Sequence, residues 1–76
     1  MDYMTMLYNT IYASCFDNYD KIIKEFPDVS SENNLPDYIK NMKLENPNVT
    51  LKEQVAHAIT MSILLQLMIV NLNKNQ

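Results

Sequence analysis

The stretch AHAITMSILLQLMIVNL, residues 56–72, decides how this chain folds. From Ala58 to Val70 apolar side chains project in every direction of a helical wheel, interrupted only by Thr60, Ser62 and Gln66. A helix that is apolar all round needs cover on all sides, from protein or from lipid. Just upstream, NPNVTLKEQ supplies a helix start. Thr50 and Glu53 stand at capping-box spacing, each able to satisfy a backbone N–H that the first turn leaves free. The pattern predicts a helix over about 51–72, with NKNQ fraying at its end.

Upstream of that helix the chain is punctuated by Pro27, Pro36 and Pro47 and contains no glycine, so tight turns with positive φ have no natural residue except Asn. In DYMTMLYNTIYASCFDNYDKIIKEF, the residues Met4, Tyr8, Ile11, Tyr12, Cys15, Tyr19, Ile22 and Phe26 recur at helical spacing and form one stripe. Asn9, Asp17, Asp20, Lys21 and Lys24 take the opposite side. This predicts a helix over about 3–26, stopped where Phe26 precedes a proline. After the polar connector PDVSSENN, the segment LPDYIKNMKLEN reads as a short helix over about 36–44. Pro36 stands in its first turn, and Leu35, Tyr38, Ile39, Met42 and Leu44 are expected to turn toward the longer helices. The expected fold is therefore all-α, a single domain over 1–76. A long amphipathic helix, a short brace and a long hydrophobic C-terminal helix pack as a helical bundle completed by oligomerisation.

The reason for expecting oligomerisation is coverage. A chain of 76 residues barely assembles a sufficient core by itself. One cysteine, Cys15, excludes an internal disulfide, and one histidine, His57, leaves a closed zinc site short of its four ligands. Two partner helices, one of them short, cannot cover the whole circumference of residues 58–70. A second copy would, and symmetric dimers are the commonest arrangement. Ile59, Ile63, Leu65, Met68, Ile69 and Leu72 are the residues expected to form the core or the oligomer interface. Lipid is the weaker cover. The unbroken apolar run is roughly 20 Å long as a helix, against a hydrocarbon core of about 30 Å, and its flanks lack a basic bias and aromatic belts.

Charge narrows the function. Six lysines, no arginine and nine acids give a net charge of −3, which is poorly matched to phosphate and better suited to a basic protein surface. The rings of Tyr12 and Tyr19 with the carboxylates of Asp17 and Asp20 are the expected partner surface. Glu53 and His57 stand at i, i+4, a spacing that reads as a helix-surface interaction in the absence of further metal ligands. Cys15 lies mid-helix in the apolar stripe, far from any activating base in sequence. Without glycine no phosphate-cradling loop of the known kinds can be built. No catalytic residue, metal ligand or cofactor is therefore expected. The start MDYMTMLYNT lacks the features of a signal peptide, which with the free cysteine points to the cytoplasm. Lys without Arg, together with abundant Asn and Ile, suits a low-GC bacterium, its phage or another virus. The leading expectation is a non-enzymatic regulator or inhibitor that binds a host protein. Alternatives are a ligand-sequestering module with an inter-subunit pocket, an assembly component, and a membrane-associating small protein.

Overall fold

The computed structural model describes residues 2–74, and among them every regular element is helical. Helix α1 spans Tyr3–Asp17 and α2 Tyr19–Glu25. Two 3-10 turns follow at Pro27–Ser30 and Glu32–Asn34, then α3 at Asp37–Lys40, α4 at Met42–Glu45 and α5 at Leu51–Lys74. Helix α5 sets the scale of the molecule: its 24 residues make about 36 Å of helix, close to the longest extent of 39 Å.

The start of α1 is fixed by Asp2. One carboxylate oxygen accepts the Thr5 backbone N–H at 2.8 Å and the other accepts the Thr5 hydroxyl at 3.0 Å. Those bonds hold the Asp2 carboxyl below the usual carboxylate range. The single helix expected over 3–26 is divided at Asn18, whose φ of −102° and ψ of 18° leave the helical region. Its side-chain amide donates to the Ser14 carbonyl at 2.8 Å, a local bond that competes with the helical ladder. Helix α2 then ends at Glu25, because Phe26 precedes Pro27 and takes φ −130°, ψ 73°.

The connector uses no positive φ at any described residue. It reverses through the two 3-10 turns, which need no glycine. The short brace expected over 36–44 consists of two single turns, α3 and α4, joined at Asn41. Lys43 ties α4 to the second 3-10 turn through Glu32 at 3.2 Å. At the start of α5 the capping box closes in both directions. Glu53 N–H donates to Thr50 Oγ at 3.1 Å, and Thr50 N–H donates to a Glu53 carboxylate oxygen at 3.0 Å. Caps of this kind contribute about 1 kcal/mol.

The core is small and lies at one end of α5. Leu35, Ile39 and Val55 are buried together, with Tyr19, Val29, Met42, Leu51, Ala58 and Ile59 packed around them. On the other flank of α5, α1 forms the most extensive helix pairing in the chain. The two helices are antiparallel, since Phe16 lies beside Lys52 and Tyr8 beside His57. Helix α1 begins at Tyr3, and this register leaves it too short to accompany α5 to its end. Among the described side chains Leu64 is the last buried one of α5, and residues 65–73 are all exposed.

Candidate functional site

Two features of α5 lie outside the ordinary packing of a small helical core. One is a polar and aromatic row where α5 meets α1. The other is the uncovered half of α5 itself.

The row follows from helical spacing. Tyr8, Tyr12 and Phe16 stand four residues apart on α1, so their rings stack in sequence at 5.8 and 6.1 Å between centroids. Lys52 places its ammonium 4.2 Å from the Phe16 centroid, a cation–π geometry. At the other end, the Tyr8 hydroxyl is hydrogen-bonded to His57 Nδ1, and the two rings meet edge to face. Burial pushes the Tyr8 phenol up and the His57 imidazole below its ordinary 6.5. Tyr12 is also raised, first by burial and then by the nearby Glu53 carboxylate. Both members of the Tyr8–His57 bond are thus held neutral near neutral pH.

This arrangement has a pH consequence. Because the folded chain holds His57 below its unfolded pKa, the unfolded chain binds more protons as the solution is acidified. Stability is then fully present above the unfolded value and falls as pH drops through about 6.5 toward the lower folded value. Thermal unfolding followed between about pH 7.5 and 5 should show a falling Tm, above the range where carboxylates titrate. The variant His57→Gln should flatten that slope, whereas an unchanged slope would place its cause elsewhere.

The expected i, i+4 pair separates into two different roles: Glu53 caps α5 through Thr50, and His57 reaches across to Tyr8. Of the expected partner surface, Asp17 and Asp20 are exposed, whereas Tyr12 and Tyr19 are half-buried, Tyr12 in the aromatic row and Tyr19 against the core. Cys15 is buried. Among the described residues no cavity opens, and no group of three or more His, Cys, Asp or Glu side chains is placed to hold a metal ion.

The six residues expected at a core or interface divide along α5. Ile59 is half-buried against the core. Ile63, Leu65, Met68, Ile69 and Leu72 are exposed, Leu72 by 63%. With Met61, Leu67 and Val70 they make eight large apolar side chains open to solvent within twelve positions. No charged side chain stands between Glu53 and Lys74. The span Leu51–Asn73 is long and apolar enough to cross a membrane by length and composition alone; its most apolar window has a mean hydropathy of 1.8, and only 22% of that window is buried. Core helices of soluble proteins pass the same test, but those are mostly buried.

The Tyr8–His57 contact and the Phe16–Lys52 contact are the features that sequence reasoning missed. Their only signal in the sequence is the i, i+4, i+8 spacing of the three rings. No family model, curated protein or solved structure matches the chain.

Proposed function

We propose that this chain is a small non-enzymatic helical protein that works by binding proteins, copies of itself among them. One observation carries the reading. The eight exposed side chains between Met61 and Leu72 leave on the order of 700 Å² of apolar surface around the open end of α5, of which one face alone matches the roughly 300–600 Å² of the largest contiguous patch on a typical monomer. Self-association covers the face of that surface that carries Met61, Leu65, Met68 and Leu72, and it supplements the core of a chain whose buried cluster is small. The acidic balance and the exposed carboxylates of Asp17 and Asp20 suit a basic surface on a second partner. A cytoplasmic regulator or inhibitor from a phage or low-GC bacterium fits that description.

A second reading rests on the length and hydropathy of Leu51–Asn73, which would let the uncovered end of α5 enter a bilayer. The two readings part in one experiment. The full chain is immobilised and offered to an extract of a low-GC bacterial host, and its flotation with phosphatidylcholine vesicles is measured in parallel. Retention of a basic-surfaced host protein, lost when Asp17 and Asp20 are changed to Lys, supports protein binding. Flotation of a monomeric chain that retains no protein would replace the first reading with the second.

A further inference from the structure

We propose that two copies of the chain pair through an antiparallel α5–α5′ seam formed by Met61, Leu65, Met68 and Leu72. This inference rests on the self-association reading above and gives it a geometry.

Gln54, Ala58, Met61, Leu65, Met68 and Leu72 follow one another at spacings of 4, 3, 4, 3 and 4. That is the repeat that keeps one face of a helix toward a neighbouring helix. The first two positions of the series are already used in this way. Gln54 is fully buried and donates from Nε2 to the Ile39 carbonyl at 3.0 Å, while Ala58 packs on the core cluster beside α3. Beyond Ala58 the brace ends, and the same face continues through four exposed apolar residues. A helix-packing face thus runs the length of α5, with a neighbour over its first half only.

With Ile69, which flanks it, the seam exposes on the order of 500 Å² per subunit, the apolar centre of an interface whose rim completes the roughly 800 Å² per partner of a standard one. The seam is uncharged along its whole length, so a second identical seam meets it without repulsion or unpaired charge.

The position of the brace fixes the direction of pairing. In a parallel pair the two braces, each about one helix thick, would lie between the first halves of the α5 helices and force the seams apart. In an antiparallel pair the partner's 61–72 segment lies over this subunit's 61–72 segment and ends where the brace begins. Met61 then faces Leu72 of the partner subunit, and the assembly closes as a two-fold dimer.

Disulfide trapping tests the arrangement in the full chain. Two single-cysteine variants, Met61→Cys and Leu72→Cys, are made in a Cys15→Ser background and equilibrated in a glutathione redox buffer. Antiparallel pairing holds the two copies of residue 61 about 16 Å apart, beyond the Cα separation a disulfide spans. Mixing the two variants should therefore give at least about ten times more cross-linked dimer than either alone. Efficient linking of Met61→Cys to itself would overturn the antiparallel direction. A chain of dimeric mass with no linking in the mixture would overturn the seam while leaving self-association standing. A chain that stays monomeric at high concentration would overturn both.

Discussion

Replacing Ile39 with alanine should lower the unfolding free energy by about 2–5 kcal/mol, the range for emptying a fully buried aliphatic site. Ile39 is completely shielded and stands between Leu35 and Val55 at the centre of the buried cluster. Its carbonyl also accepts the Gln54 amide, a buried side-chain bond that ties the brace to α5. That amide's own oxygen, Gln54 Oε1, is buried without a partner among the described residues, so the site already carries a desolvation cost of about 1–3 kcal/mol. A domain of this length has a total stability of roughly 4–11 kcal/mol, and the variant should stand near the edge of folding. Urea unfolding followed by circular dichroism reads the change. A loss below about 1 kcal/mol would show that the brace is not what stabilises the first half of α5.

Leu65→Asp should have the largest effect on assembly. Leu65 is 58% exposed in the single chain, so an aspartate there stays solvated in the monomer and costs little more than its weaker helix propensity, about 0.5 kcal/mol. In the proposed dimer the same carboxylate would be driven into an apolar seam beside Met68 of the partner subunit. Burying it unpaired costs at least a few kcal/mol, and the dimer should weaken by about 100-fold or more. Val70→Asp is the matched control. It stands in the same exposed half, 52% exposed, but roughly opposite the seam on the wheel, and should weaken the dimer far less. Sedimentation equilibrium of the two variants separates face-specific pairing from general stickiness, because equal losses in both would contradict a seam.

Much of this fold is readable in the sequence because its determinants are local. The Thr50–Glu53 cap, the stop before Pro27 and the unbroken apolar run of α5 depend only on neighbours within one or two turns. The division at Asn18 escapes the same reasoning, since an asparagine inside a helical pattern gives no sign of whether its amide will turn back on Ser14. The ends of the expected stripe on the first helix also escape it. Met4 and Phe26 have the right spacing but remain exposed, and so do Tyr38 and Leu44 of the brace, whose two single turns bury only Ile39. Met4 lies at the uncovered end of the molecule, opposite the open half of α5, and Phe26 falls beyond the end of α2. The pairing of Tyr8 with His57 spans 49 residues and is set by the register of α1 on α5, which no local pattern encodes. The apolar face of α5, by contrast, is plain in the sequence. What the structure adds is where its cover stops, just past Leu64.

The most direct test of the account is the mass of the purified full chain, measured by light scattering after gel filtration at two concentrations and without detergent. The account predicts a dimer at both, twice the 8.9 kDa of the chain, falling to a monomer with Leu65→Asp. A stable monomer at both concentrations would contradict it.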